Sequence, residues 1–192
     1  MRKMKQKTDE ELMLMWTAGN FKAFDALFNR YGQKVYNLFL RSLRQKETSE
    51  DLLQECFMRL AESRNRYHPQ NSFTSWLFTI AMNLLRDQYR KKQRFQATFS
   101  PEDPEPKLRN FADSRKEPLN QMETAELKIA VEKALQTLPA DQREIIVLSK
   151  YQGLSYAEIG DILALSPEAA KQKAYRGLKT LRQKLAHLSE EQ

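Results

Sequence analysis

The sequence predicts an all-α protein with two small helical domains, at residues 8–95 and 124–188, joined by a flexible linker. Apolar residues recur with a period of about 3.6 in both domains, which is typical of amphipathic helices and requires no sheet. Residues 96–123 interrupt this pattern with proline and acidic residues. Near the C-terminus, two short helical patterns are separated only by the joint ALS, as in a helix-turn-helix.

The first domain contains three predicted helices. The second of them opens near Thr48 and the third near Ser72, after a loop that Pro69 interrupts. Thr48 and Asp51 have the spacing of a capping box, so we expect the second helix to begin there. The apolar stripe of the first helix consists of Phe24, Leu27, Phe28, Tyr31, Val35, Leu38 and Phe39.

The linker is predicted from its composition. Residues 96–123 hold four of the seven prolines and no sustained apolar stripe. Because proline fixes φ and removes a backbone donor, this segment favours an extended tether over a helix. Its acidic residues would also keep it away from a DNA backbone.

The second domain is predicted to hold four helices. The first two run from about Thr124 to Leu138 and from Ala140 to Gln152. The last two are the helix-turn-helix pair, in which the first begins with a capping box and the second with an N-cap followed by proline. The residues that mark these helix ends are Gly153, Ser155, Glu158, Ser166 and Pro167.

The balance of charge indicates an anionic partner. A formal net charge of +7 and a pI near 9.4 favour nucleic acid ahead of a membrane surface. No apolar run reaches the roughly 18 residues needed to cross a bilayer, so a cytoplasmic protein is expected. The single cysteine excludes an intramolecular disulfide, and Cys56 fits the core pattern of its helix.

Chemistry at a metal, a cofactor or a nucleophile is not indicated. The two histidines, His68 and His187, lie far apart and lack metal-ligand spacing. The sequence also shows no glycine-rich phosphate loop and no nucleophile beside a base. We therefore expect no catalysis, no metal, no cofactor and no small-molecule substrate.

The last helix has the residue pattern of a DNA-recognition helix. Between Lys171 and Lys184 the sequence contains six cations and no acid. Such a face places polar side chains at base edges and cations at phosphates, although a helix kept soluble by lysine is the alternative. Its apolar stripe consists of Ala170, Ala174, Leu178, Leu181 and Leu185. Opposite lie Gln172, Arg176, Lys179 and Gln183, flanked by Lys171 and Lys173.

The first domain combines cations with aromatic residues, which is typical of single-strand binding. Its cationic run, at residues 86–94, includes Arg86 and Arg90 and follows an aromatic cluster. Tyr67 in the loop, or Asn83 one turn after the cluster, is suited to hold an extruded base by stacking or through its amide. Trp76 fits the buried stripe as well as a base-stacking role, and Asn83 equally fits a solvated or capping position.

In this order, these segments resemble the extracytoplasmic-function (ECF, group 4) sigma factors of bacterial RNA polymerase. The resemblance rests on FDALFNRYGQKVYNLFLR, EDLLQECFMRL and FTSWLFTIAMNLLRDQYR in the first domain, and on LPADQREIIVLSKYQGLSYAEIGDIL in the second. It implies a sigma-2 domain, a linker in place of the third domain of larger sigma factors, and a sigma-4 domain.

The resemblance also implies roles for particular residues. The clamp helices of the largest polymerase subunit would dock on Asp51, Leu52, Gln54 and Glu55. A base flipped from the −10 element of promoter DNA would be captured by Tyr67, Ile80 and Asn83. The −35 element would contact Lys171, Gln172, Tyr175 and Arg176. Because family members are commonly held inactive by an anti-sigma factor, such a factor is an expected partner.

One departure from the family concerns the start of the recognition helix. Family members often carry Gly-Thr where this chain has Glu168-Ala169. A carboxylate repels phosphate and the missing hydroxyl removes a phosphate contact, so the −35 sequence is not fixed by the resemblance. The rival interpretations are a stand-alone helix-turn-helix regulator and an enzyme acting on nucleic acid. Binding of core polymerase distinguishes the regulator from a sigma factor.

Overall fold

The computed structural model describes residues 6–98 and 121–190, and within them all regular structure is helical. This confirms the all-α fold class. The part of the predicted linker at residues 99–120 lies outside the described residues. The α-helices are α1 (Asp9–Thr17), α2 (Phe21–Leu43), α3 (Lys46–Ser63), α4 (Phe73–Thr98), α5 (Gln121–Gln136), α6 (Ala140–Ile146), α7 (Tyr156–Leu163) and α8 (Pro167–Glu190). A short 3-10 helix (Arg64–Arg66) follows α3, and a π-helix (Val147–Tyr151) continues α6 through most of the predicted 140–152 helix.

Helices α1–α4 form the first half of the structure, held by α1 at one end. Thr8 and Glu11 form a capping box that starts α1. Asp9 then accepts hydrogen bonds from Arg30, at 2.6 Å, and from the hydroxyl of Tyr31. On α4, the backbone N–H of Phe73 donates to the carboxylate of Glu10 at 3.2 Å. Two adjacent acids of α1 thereby fix α2 and the start of α4.

The beginning of α3 differs from the prediction. The helix starts at Lys46 with Gln45 as N-cap, and Thr48 is not a capping residue. Helix α2 ends at Leu43, and Arg44 adopts the left-handed conformation, so the chain turns immediately. Helix α3 therefore begins two residues before the predicted start at Thr48. The Thr48 hydroxyl instead donates to the side chain of Gln45 at 3.0 Å.

The helix-turn-helix is formed by α7 and α8. Ser155 and Glu158 make the predicted capping box of α7, and Ser166 accepts a hydrogen bond from the N–H of Ala169 at 3.1 Å. Ala164 ends α7 in the left-handed conformation, with a φ of 56°. These features confirm the predicted helix starts and the sharp turn between the helices.

The buried stripe of α8 differs from the prediction at one position. Ala170 and Ala174 are fully buried and Leu181 is 7% exposed, but Leu178 is 36% exposed. Gly177 takes the inward place beside them, because a Cβ there would lie 2.7 Å from Cδ1 of Ile146. The absence of a side chain at Gly177 lets α8 approach α6 closely.

The two halves of the chain pack directly against each other. Helix α7 lies between α4 and α8 and contacts both. Buried side chains from α2–α4 and from α6–α8 consequently belong to one continuous apolar core. Among the described helices, none has a stretch long and apolar enough to cross a membrane.

Two glycines in helix interiors should respond oppositely to substitution by alanine. In Gly160→Ala the new Cβ would lie 2.7 Å from the backbone carbonyl oxygen of Leu165, so the turn before α8 must shift. We expect the free energy of unfolding to fall by about 1–3 kcal/mol. Urea denaturation followed by circular dichroism measures this loss.

Gly32→Ala is the matched control. The nearest atoms to its Cβ would be those of the Phe28 ring, at an ordinary 3.5 Å. Alanine should then stabilise α2 by up to about 1 kcal/mol, the difference in helix propensity. Equal effects of the two substitutions would contradict this account of the turn.

Candidate nucleic-acid and polymerase interfaces

The outer face of α8 is exposed as a continuous surface. The side chains of Lys171, Gln172, Tyr175 and Arg176 are exposed, and Tyr175 has 68% of its surface accessible. Together with Glu168 they line one shallow depression of about 400 Å³. The four predicted −35 residues are therefore brought together on a single face.

The two other candidate cations of α8 differ in their surroundings. Lys173 forms an ion pair with Asp141 at the start of α6. The hydrogen bond from Lys173 lowers the pKa of the Asp141 carboxyl. Lys179 is exposed one turn beyond Tyr175. Lys173 consequently braces α8 against α6, whereas Lys179 extends the cationic face.

On α4 the candidate −10 residues fall into exposed and buried groups. Asn83 and Arg90 are exposed, and Arg90 pairs with Asp87 at 3.3 Å. Ile80 is partly buried against the core. Arg86 is half-buried, and its positive charge lowers the pKa of the Glu144 carboxyl on α6, against the larger effect of burial.

Tyr67 and Trp76 belong to one aromatic cluster. Tyr67 is only 9% exposed, and its hydroxyl donates to the carbonyl of Asn71 at 2.8 Å. The Trp76 ring is half-buried, with its centroid 5.2 Å from that of Tyr67. In this conformation Tyr67 is a packing residue of the loop, and Trp76 offers only part of its ring to solvent.

The candidate polymerase-binding residues lie along α3. Asp51 and Gln54 are exposed, whereas Leu52 and Glu55 are half-buried. A groove of about 770 Å³ runs between α3 and α4, and Asp51, Leu52, Glu55 and Arg90 all contribute to its walls. Glu55 pairs with Arg59 at 2.7 Å. The α3 wall of the groove carries two acids and Arg59, and the α4 wall carries three cations and Asp87, so the groove is lined by charges of both signs.

A polar cluster between the two halves was not predicted from the sequence. Arg41 of α2 pairs with Glu132 of α5 at 2.9 Å, and its guanidinium lies 4.0 Å from the centre of the Tyr151 ring. Arg143 of α6 donates to the hydroxyl of Tyr89 on α4 at 3.1 Å. Periodicity gives no signal for such contacts, because each joins residues that are distant in sequence.

Glu144 is the most perturbed acid of this cluster. Its side chain is 6% exposed, and burial raises the pKa of its carboxyl to about 7. Arg86 and Arg143 oppose this rise and Asp141 adds to it. A buried glutamate therefore titrates near neutral pH where the two halves meet.

Two remaining expectations concern metals and the thiol. No group of three or more His, Cys, Asp and Glu side chains with metal-site geometry occurs in the part of the chain that the structure describes. Cys56 is fully buried, and burial raises the pKa of its thiol to about 12. This confirms the prediction that Cys56 is a core residue.

Comparison with known protein families matches each half of the chain to a different region of the sigma-70 factors. The family model for sigma-70 region 2 matches residues 27–95, and that for sigma-70 region 4 matches residues 128–181. RNA polymerase sigma factor CarQ of Myxococcus xanthus is 37% identical over 166 residues, covering 86% of this chain and 91% of CarQ. ECF RNA polymerase sigma factor SigX of Bacillus subtilis is 30% identical, covering 88% of this chain and 87% of SigX.

Solved structures share the fold. CnrH, in complex with the cytosolic domain of CnrY, matches with a TM-score of 0.71 and 24% identity, covering 94% of this chain and 99% of CnrH. The sigma factor RpoE of Bartonella quintana, in complex with the anti-sigma factor NepR, matches with a TM-score of 0.67 and 23% identity, covering 86% of this chain and 98% of RpoE.

Region 2 followed by a helix-turn-helix region 4 defines a sigma-70-type transcription initiation factor. The chain belongs to the ECF RNA polymerase sigma factors, as the predicted resemblance implied. Its activity is to direct promoter recognition by RNA polymerase.

Glu144 should make the stability of the protein depend on pH. Its pKa is about 7 in the folded chain and near 4.5 when exposed, so the folded form binds the proton more tightly. The free energy of unfolding should therefore fall as pH rises from about 5 to 8, by up to about 3 kcal/mol. Glu144→Gln should flatten this dependence and be the more stable protein at pH 8.

Urea denaturation at pH 5.5 and pH 8 tests this expectation. Asp87→Asn provides a control at a half-buried acid of α4 that pairs with Arg90. An unchanged pH dependence in Glu144→Gln would show that the carboxyl is already ionised in the folded protein.

Proposed function

We propose that the two halves of this sigma factor contact separate promoter elements, α8 at −35 and α4 at −10, while α3 docks on core polymerase. The observation that carries this proposal is the single exposed face of α8, where Lys171, Gln172, Tyr175 and Arg176 line one surface. A recognition helix of this kind lies in the major groove, with its N-terminal residues at base edges. Lys179 and Arg176 then supply contacts to phosphates.

The −10 contacts are assigned to exposed residues of α4. Asn83 presents an amide to solvent, and an amide is suited to read the Watson–Crick edge of an extruded base. Arg90 and Arg86 supply positive charge along the same helix for the strand backbone. Trp76 and Ile80 provide partly exposed apolar surface near Asn83, and the ring of Tyr67 packs against that of Trp76.

Core polymerase is proposed to dock on α3. Helix α3 is accessible and presents acids and one apolar side chain in a protein with a positive net charge. The residues concerned are Asp51, Leu52, Gln54 and Glu55. The family resemblance assigns this surface to the clamp helices of the largest subunit. This docking surface lies apart from the cationic face of α8 and adjoins that of α4 across the groove between α3 and α4.

The packed arrangement of the two halves is incompatible with contact to both elements at once. The names of the elements place them about 25 base pairs apart, or about 85 Å of B-DNA. A compact chain of this length has a radius of gyration of only about 16 Å. The halves must therefore separate on polymerase. Residues 99–120, which connect α4 to α5, would span at most about 75 Å if fully extended, and this reach together with the size of the two halves permits that separation.

An anti-sigma factor is the remaining partner that we propose. The RpoE structure that shares this fold is described as a complex with an anti-sigma factor. An anti-sigma factor that holds the two halves of this chain together would keep α4 and α8 from reaching both promoter elements.

The function is tested by adding the purified chain to core polymerase. We expect stable association and run-off transcription from a subset of a randomised promoter library. The isolated chain should bind the selected promoters weakly, with an affinity that falls steeply with salt, because phosphate contacts release counterions. Tight binding of the isolated chain to a palindrome as a dimer would indicate a stand-alone regulator instead.

Substitutions on α4 and α3 should separate the two binding steps. Asn83→Ala should reduce open-complex formation by at least about fivefold, since one base contact contributes about 1–3 kcal/mol, and leave polymerase binding unchanged. Asp51→Ala should weaken polymerase binding directly. Permanganate footprinting measures opening, and fluorescence anisotropy with labelled core enzyme measures binding. Equal loss of both activities in Asn83→Ala would remove its assigned role.

A further inference from the structure

Glu168 is an acid on the face that is proposed to read DNA. It lies in the first turn of α8, is exposed, and lines the same depression as Lys171, Gln172, Tyr175 and Arg176. Residues 168, 171, 172, 175 and 176 follow helical spacing, so their side chains project in one direction. The eight steps from Glu168 to Arg176 span about 12 Å, the height of three to four base pairs.

The carboxylate of Glu168 has no partner in the part of the chain that the structure describes. Across residues 6–98 and 121–190, neither an ion pair nor a side-chain hydrogen bond holds it. Lys171, three residues on, is placed for a helical ion pair, yet the structure forms none between them. Its position at a helix N-terminus favours α8 through the helix dipole, which any acid in that turn would do equally.

Contact with phosphate does not suit this side chain. When α8 lies in the major groove, the N-terminal end of the recognition helix points toward base edges. A carboxylate accepts hydrogen bonds and donates none, so it requires a donor in the groove. Cytosine presents its N4 amino group there, whereas guanine and thymine present the acceptors O6 and O4 at the corresponding place. Adenine presents a donor beside the acceptor N7, which opposes a carboxylate.

We propose that Glu168 is a specificity residue that accepts a hydrogen bond from the N4 amino group of a cytosine in the −35 element. The same carboxylate rejects guanine and thymine, because it meets an acceptor on either base and both groups are then left without a partner. Ala169, which lacks a hydroxyl, leaves the adjacent phosphate to other residues. This assignment rests on the proposed function of α8 and names the base that its first turn selects.

The test uses the full chain with core polymerase and a promoter library randomised across the −35 element. Transcripts made by the wild-type protein should show cytosine at one position on one strand, preferred over guanine and thymine by about 5- to 150-fold. Glu168→Ala should abolish the preference at that position alone. Glu168→Gln should change it to adenine, because a glutamine amide pairs with N6 and N7 of adenine.

Asp161→Asn is the matched control. Asp161 is an exposed acid on α7, and it does not line the depression on α8. Its substitution removes the same charge from the same half of the protein and should leave every base preference unchanged. Circular dichroism confirms that each variant remains folded.

The outcomes separate the inference from the function on which it rests. If the wild-type chain selects no promoter, the proposed function fails. If it selects promoters and Glu168→Ala retains every base preference, Glu168 does not read a base and only this inference fails. Uniformly stronger binding of Glu168→Ala to all sequences would also overturn the inference, because it means that the carboxylate acts only by repelling phosphate.

Discussion

The packing of α7 against two helices at once is the constraint on which the rest of the structure depends. Helix α7 has only eight residues, and it contacts α4 on one side and α8 on the other. Ile159, Ile162 and Leu163 supply the buried side chains, and Gly160 allows the chain to return toward Pro167 without a clash. Because α7 is sandwiched, α8 keeps its polar face outward. The position of the surface that we propose to read DNA is therefore set by apolar contacts in the core.

Charge is distributed unevenly over the helices. The exposed cations of α8 and α4 form the faces that we propose for DNA, whereas α3 carries the acids that we propose for polymerase, and these acids share one groove with Arg90 of α4. Where the halves meet, the same charge types are paired inward, as in Arg41 with Glu132. Arg86, which we propose to contact DNA, is half-buried in this arrangement, and its charge acts on the carboxylate of Glu144. Under the proposed function, binding to DNA and packing of the two halves would compete for the same residue.

Local pattern was sufficient to predict the helix-turn-helix and every α-helix of the described residues except α1, which was not distinguished from the sequence. The capping box at Ser155 and the helix start at Ser166–Pro167 are signals from neighbouring residues in the sequence, and both occur in the structure. Prediction failed where tertiary packing decides. The α3 start depends on how α2 ends at Arg44, and Gly177 replaces Leu178 inward because α6 lies so close. Tyr67 looked available in an irregular loop, but its ring packs against Phe73 and Trp76. The polar cluster around Arg143 joins residues that are far apart in sequence, so the periodicity of apolar residues could not predict it.

The burial of the single cysteine has a practical consequence. With its thiol fully buried and its pKa raised to about 12, Cys56 carries almost no thiolate at neutral pH. Maleimide dyes would therefore label cysteines introduced at exposed sites, such as Lys22 on α2 and Lys150 beyond α6. Cys56 would not need to be replaced, because it would not react. Energy transfer between such dyes would follow the distance between the two halves in real time as polymerase and promoter are added.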